Sequence, residues 1–228
     1  MLPRYINARP RSSEDISNLA DHPDVLEVAE RIGVKNVVHF TTKRGVLGVL
    51  ASGAVKSRSR LPEDKYLEHV YRPNSEIRKD REWLDYVNLS IERINDWMFD
   101  ASTRWQAADD NPWVVLSFIP EILAHPGVVF TTTNNIYPAC LRAEGLDGFS
   151  LMYADTVRGR YGKVHDRSDK LPAWPTDRQA EVLYPGELSR THLQRIDVQM
   201  EETIDSIHGM LAVLNLSVPV RYAPEVFK

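Results

Sequence analysis

Short apolar runs alternate with polar stretches along this chain, and helical spacing is confined to a few of them. Asp21–His22–Pro23 opens the first helical run. Val25, Leu26, Val28, Ala29 and Ile32 form its apolar stripe, and Gly33 stands where a left-handed C-cap belongs. Asn36–Phe40 reads as a buried strand that delivers a polar His39 and Thr41 to a strand-to-helix turn. A second helix is predicted after Thr41 and Thr42, which suit an N-cap, running through Val46, Leu47, Val49 and Leu50 to Gly53. Further strands are predicted at Ala54–Ser57, Asp85–Ser90, Trp113–Phe118, Val128–Thr131, Gln179–Tyr184 and Leu193–Met200. Glu92–Trp105 is helical or irregular, Pro120–Leu123 a helical turn, and Ile136–Leu141 a helix. Glu201–Leu214 is an amphipathic helix through Ile204, Ile207, Leu211 and Leu214. Val218–Tyr222 closes the sheet, with Pro219 confining it to an edge. Many short strands with interspersed helices and no βαβ rhythm predict an α+β fold in one domain over residues 1–228, with residues 1–15 as a flexible arm.

Two polar stretches interrupt this pattern. Residues 57–83 carry Arg58, Arg60, Arg72, Arg78, Lys79 and Arg81 with Tyr66 and Tyr71 between them. Residues 157–175 carry Arg158, Arg160, Lys163, His165, Arg167 and Lys170 and are expected to form a long loop. Such stretches are either solvated excursions or surfaces that follow a nucleic-acid backbone and stack on its bases.

Composition narrows the choice. The 228 residues are 43% hydrophobic and 26% charged, as in an ordinary globular protein. No apolar run approaches the roughly 20 residues of a membrane span. The first residues lack the apolar core of a secretory signal, and Cys140 as the one cysteine allows no intramolecular disulfide, so a reducing cytoplasm is expected. The net charge of −4 leaves no global attraction for nucleic acid, so any such binding falls to local basic patches. The seven histidines and one cysteine show no zinc spacing, and no glycine-rich phosphate loop is present, so no metal is expected. Cys140 and most of the five tryptophans read as packing.

What remains is a set of polar residues on apolar strands: His39 and Thr41, then Tyr86 and Asn88, then Glu181. Singly, each has a structural reading: a hydrogen-bonded core histidine, a half-exposed strand glutamate. Together they would cost several kcal/mol if buried without partners, which points to a site.

Five motifs in this order resemble the DarT family of DNA ADP-ribosyltransferase toxins. They are the H-F-T strand and helix of His39–Gly53, the arginine-bearing loop into D-Y-V at Glu76–Asn88, the apolar strand Trp113–Phe118, F-T-T-T-N at Phe130–Asn134, and R-Q-A-E-V-L at Arg178–Leu183. The resemblance implies a mono-ADP-ribosyltransferase fold, in which a split mixed β-sheet with peripheral helices and long substrate-facing loops clasps NAD as substrate. It implies Glu181 as catalytic glutamate and a catalytic arginine at Arg81 or Arg78, the family's glycine-rich spacer before D-Y-V being absent. His39, Thr41, Gly53, Tyr86 and Asn88 would lie on the cofactor side. Arg158, Arg160, Lys163, His165 and Arg178 would approach single-stranded DNA. D-Y-V-N-L-S and F-T-T-T-N depart from the usual patterns and imply a divergent branch acting on thymine or guanine. The family also implies a toxin–antitoxin pair, the antitoxin being a de-ADP-ribosylating macrodomain or related hydrolase. A transferase acting on RNA or protein, and a non-catalytic nucleic-acid-binding module, are the alternatives.

Overall fold

A computed structural model describes residues 7–16, 19–61, 81–105 and 111–228. Its strands are β1 (Val37–Thr42), β2 (Ala54–Lys56), β3 (Tyr86–Ile91), β4 (Trp113–Phe118), β5 (Val129–Thr131) and β6 (Arg142–Glu144). They continue with β7 (Thr156–Arg158), β8 (Val164–Asp166), β9 (Val182–Pro185), β10 (Glu187–Ser189), β11 (Leu193–Val198) and β12 (Val220–Tyr222). Eight form one mixed sheet in the order β12-β11-β4-β1-β3-β9-β5-β6, antiparallel except for the parallel pair β11 and β12.

The strands are apolar on both faces because both are covered. Val37, Val87, Leu89, Ile91, Leu116 and Val182 enter the main core. Val25 and Ala29 of helix Pro23–Ile32, Val46 and Leu50 of Lys43–Ser52, and Ile207 of Thr203–Val213 meet them there. On the second face lie two smaller apolar groups. One holds Val38, Val115, Phe99 and Phe227; the other holds Trp83, Tyr86, Val129 and Leu183. Strand alternation places Asn88 and Ser90 on that second face, as a polar seam between the two groups.

The sheet opens along this seam. β1 pairs with β4 from Val37↔Phe118 to Thr42↔Trp113, but with β3 only at Val37↔Ile91 and Val38↔Ser90. Glu92, held at φ 62, pins the closed end, its carboxylate accepting from the Asn36 N–H at 2.8 Å. Past Val38 the two strands part.

Local chemistry explains most boundaries. Gly33 caps its helix at φ 84. Thr42 accepts from the Gly45 N–H at 3.3 Å. Asn95 accepts from the Met98 N–H at 3.0 Å and opens helix Asp96–Trp105.

Several expectations are corrected. Ile136–Leu141 is not a helix. Pro138 removes a donor, and successive turns close instead through Tyr137 N–H to Asn134 O (3.1 Å) and Cys140 N–H to Tyr137 O (3.0 Å). The helix lies later, at Gly145–Met152, where Gly145 and Gly148 weaken its signal in the sequence. The long loop after residue 156 contains the hairpin β7–β8. Residues 179–181 precede β9, because Ala180 N–H turns back to Asp177 O at 3.1 Å, so Glu181 sits at the mouth of the strand. Residues 7–16 are tied down: Ala8 N–H reaches Arg142 O at 2.9 Å, and Arg11 bonds Glu144 at 2.7 Å. Among the described residues no helix is long and apolar enough to cross a membrane.

Candidate active site

Glu181 is buried, with 6% of its surface exposed, and its surroundings hold it on several sides. Oε1 accepts from Asn134 Nδ2 at 3.2 Å and Oε2 from the Asn135 N–H at 2.8 Å. The Glu181 backbone is fixed to β5, its N–H donating to Thr131 Oγ1 at 2.9 Å and its carbonyl accepting from Thr131 N–H at 2.9 Å. These two amide donors, one on each oxygen, orient the carboxylate. The turn that carries them is braced in turn: Thr133 Oγ1 donates to Asp177 at 2.6 Å, and Arg142 donates to both the side chain and the backbone carbonyl of Asn135. Asn135 Nδ2 is buried with no hydrogen-bond partner among the described residues, an unusual state for an amide next to a carboxylate.

Across the opening, His39 Nδ1 donates to the Asn88 carbonyl at 3.0 Å, so the imidazole spans the gap where β1 and β3 part. Burial lowers the pKa of His39, against the opposing effect of the Asn88 hydrogen bond, which favours a neutral ring. Thr41 packs against the first turn of Lys43–Ser52. A Cβ on Gly45 would lie 2.1 Å from Thr41 Oγ1, so the glycine is what lets the strand and helix approach. Tyr86 is buried, and its hydroxyl accepts from the Arg11 N–H at 3.0 Å; burial raises its pKa and keeps the phenol protonated. Gly53 caps the far end of the ten-residue helix after β1, about 15 Å from Thr42. There its carbonyl accepts from the Arg190 N–H at 2.8 Å, so the structure does not bring Gly53 to the opening.

Arg81 is exposed, in the short 3₁₀ turn Arg81–Trp83 that leads into β3, while Arg78 lies outside the described residues. The base of that segment is clamped. Asp85 accepts from Ser57 at 2.8 Å, Ser59 at 2.9 Å and Arg60 at 2.8 Å. Burial opposes ionisation of Asp85, yet these bonds hold its carboxyl below the usual range.

The basic residues divide into two sets. Arg158 and Lys163 are exposed on the hairpin. Arg160 lies 4.4 Å over the Trp97 ring and 4.7 Å over Tyr161, which is 90% exposed and held at φ 55. His165 instead turns inward, with Nε2 3.7 Å from Asp177, and Arg178 pairs with Asp96 at 2.7 Å. A Cβ on Gly159 would come within 2.6 Å of that Asp177 carboxylate, so the hairpin docks there only with glycine. Asn135, Asp177 and Arg11 were not singled out by sequence, since a backbone donor, a buried brace and an arm contact leave no motif. Asn134 was visible only as the end of F-T-T-T-N. Burial raises the Cys140 thiol to about 11, a packing role. Among the described residues no group of three histidine, cysteine or acidic side chains could hold a metal.

A family model described as "ssDNA thymidine ADP-ribosyltransferase, DarT" matches residues 38–228. The fold is similar to that of Thermus sp. 2.9 DarT in complex with NAD+, with a TM-score of 0.61 at 14% identity over 86% of this chain and 98% of that one. Thermus sp. 2.9 DarT in complex with ADP-ribosylated ssDNA gives 0.60 at 14%, over 85% and 96%. Thermosipho africanus DarTG in complex with ADP-ribose gives 0.52 at 13%, over 85% of this chain and 51% of that one. A comparison with curated proteins returns no match.

Proposed function

The chain belongs to the DarT family of single-stranded-DNA ADP-ribosyltransferases, and from that premise we propose that it moves ADP-ribose from NAD to a thymine base, with Glu181 as the catalytic carboxylate. The observation that carries this reading is the buried Glu181, held by Asn134 on one oxygen and Asn135 on the other at the start of β9. An enclosed, oriented carboxylate next to a cleft is what an oxocarbenium-like transition state requires.

In the proposed reaction the bond between nicotinamide nitrogen and ribose breaks, and nicotinamide leaves with the electron pair. Positive charge develops at the anomeric carbon, facing Glu181. A ring nitrogen of the target base forms the new bond, and its proton passes to the Glu181 carboxylate. Asn134 and Asn135 hold that carboxylate in place. His39, Thr41, Tyr86 and Asn88 flank the cofactor side, and Arg81, or Arg78, meets the diphosphate through charge-assisted bonds. The exposed Trp97–Arg160–Tyr161 stack, with Arg158 and Lys163 beside it, suits splayed bases and backbone. DNA and NAD both occur in the cytoplasm, where a base modification that blocks copying would make this chain a toxin. A cell carrying it would then need a partner hydrolase, of the macrodomain type, as antitoxin.

Incubation with NAD and single-stranded oligonucleotides, each lacking one base type, tests the proposal by mass spectrometry. One ADP-ribose should add to every oligonucleotide except the one without thymine. Addition lost only without guanine moves the target to guanine. Modification of RNA or protein in preference to DNA, or of nothing, overturns the substrate.

A further inference from the structure

A shallow cleft lies on the second face of the sheet, lined by Ala180 next to Glu181 in the chain and by neither His39 nor Asn88 of the opening. Ser90 and Ala180 lie at its floor, at the closed end of the β1–β3 pair, and the segment before Glu181 contributes Lys170, Trp174 and Arg178 to its wall. Arg93 completes it. Ala180 directly precedes Glu181, so the cleft adjoins the proposed catalytic carboxylate along the chain.

Its chemistry is that of an anion site. The Arg93 guanidinium lies 3.8 Å over the Trp174 ring, which fixes its plane. Half-buried, it has no hydrogen-bonded acceptor among the described residues. Arg178 stands close by, and Lys170 adds a third positive charge. Burial and then the neighbouring Arg178 charge lower the pKa of Arg93, as expected of two guanidinium groups facing one space. Arg178 is balanced by Asp96 at 2.7 Å, and Asp177, also on the wall, is engaged by Thr133 at 2.6 Å. Arg93 and Lys170 are thus the cations left facing the cleft. A stacked, planar guanidinium with open donors fits a phosphate.

We infer that this cleft holds one phosphate of the DNA strand, adjacent to the nucleotide being modified, with Arg93 as its principal ligand. The inference rests on the DNA substrate proposed above. The NAD diphosphate is the other source of the same chemistry. Position argues against it, because the lining comes from the basic segment leading to Glu181 and includes neither His39 nor Tyr86.

The test compares wild type with Arg93→Gln and, separately, Lys170→Gln, whose partly exposed side chain can change without disturbing the core. Binding of a mixed-sequence single-stranded DNA is measured by fluorescence anisotropy over a salt series, binding of NAD by calorimetry, and folding by thermal melting. Arg93→Gln should bind DNA about tenfold more weakly, with the slope of log affinity against log salt shallower by about 0.7, the value of one single-strand phosphate contact. NAD affinity should not change. Oligonucleotides with one neutral methylphosphonate linkage should then reveal a position that weakens binding to wild type but not to Arg93→Gln. Unchanged DNA affinity and slope in both folded variants would overturn the subsite alone. NAD affinity falling instead would reassign the phosphate to the dinucleotide and overturn it too. A wild type that binds no DNA would overturn the substrate reading first, and the subsite with it.

Discussion

Two buried carboxylates, Asp197 on β11 and Glu181 at the start of β9, are held in different ways. Asp197, 1% exposed on β11, is met by Arg195 at 2.9 Å and Arg221 at 2.9 Å, with Ser117 at 3.4 Å. It ties the parallel edge strand β12 to β11 and β4. Glu181, 6% exposed at the mouth of β9, is oriented by the Asn134 side-chain amide and the Asn135 main chain. Burial alone therefore does not mark a catalytic acid. A carboxylate clamped by guanidinium groups is already matched in charge. A carboxylate aimed by amide donors on both oxygens is placed to stabilise positive charge arriving on a substrate.

Exchanging each carboxylate for its amide isolates that difference. Glu181→Gln should lower the transfer rate by about 10³-fold or more, in the range of losing a general base and an electrostatic stabiliser together. Its melting temperature should stay close to wild type, since the isosteric amide keeps the packing. Oligonucleotide mass spectrometry and thermal melting read the two properties side by side, and full activity in Glu181→Gln would remove it from the chemistry. Asp197→Asn should do the reverse. It leaves Arg195 and Arg221 facing a neutral group and should cost about 2–3 kcal/mol, below the usual figure for a buried pair because Arg221 is 52% exposed. The folded fraction should retain its rate. Urea unfolding followed by activity per folded molecule would expose the opposite result.

The support around Glu181 is the next level of the comparison. Asn134→Ala removes the donor to Oε1 while leaving the Asn135 N–H on Oε2. A carboxylate released on one side loses its alignment, so the turnover number should fall about tenfold to a hundredfold with little change in the Michaelis constant for NAD. A larger effect on that constant than on turnover would make Asn134 a cofactor contact.

The contrast between the two carboxylates was only partly legible in sequence. Local signals carried the frame: Gly33 and Thr42 as caps, Trp113–Phe118 as a strand, Pro219 confining β12 to an edge. Glu181 was visible as a lone acid at an apolar strand, and the order of motifs that resembles DarT is matched by the family model over residues 38–228. What the sequence did not reveal depends on long-range contact. Nothing local says that Asn135 presents its main-chain N–H to Glu181, that Arg11 reaches Tyr86, or that Arg93 stacks on Trp174. The helix Gly145–Met152 was hidden by its glycines, and Ile136–Leu141 looked helical until Pro138 is weighed. Asp197 drew no attention because its arginines come from its own strand and a neighbouring one, without any motif.

His39 gives the smallest expected effect and the finest test, because it spans the gap between β1 and β3 and is proposed to hold the cofactor. Replacing it by alanine should weaken NAD binding about tenfold and change stability by no more than about 1–2 kcal/mol. The ring also leaves a signature in acid. Burial lowers its pKa in the folded protein below the 6.5 of a free imidazole, so the unfolded chain takes up the proton first. Above 6.5 both states are neutral at this site and His39 adds nothing to the pH dependence. As the pH falls below that value the folded state loses stability, by at most about 1.4 kcal/mol per unit, until the folded ring protonates as well. His125, lowered first by burial and then by His192, acts in the same direction. Melting temperatures between pH 7.5 and pH 5 should therefore fall less steeply in His39→Ala than in wild type, and His125→Ala measures the remaining share. If the His39→Ala slope equals wild type while NAD binding weakens, the ring is open to solvent and the neutral, gap-spanning imidazole is the wrong picture.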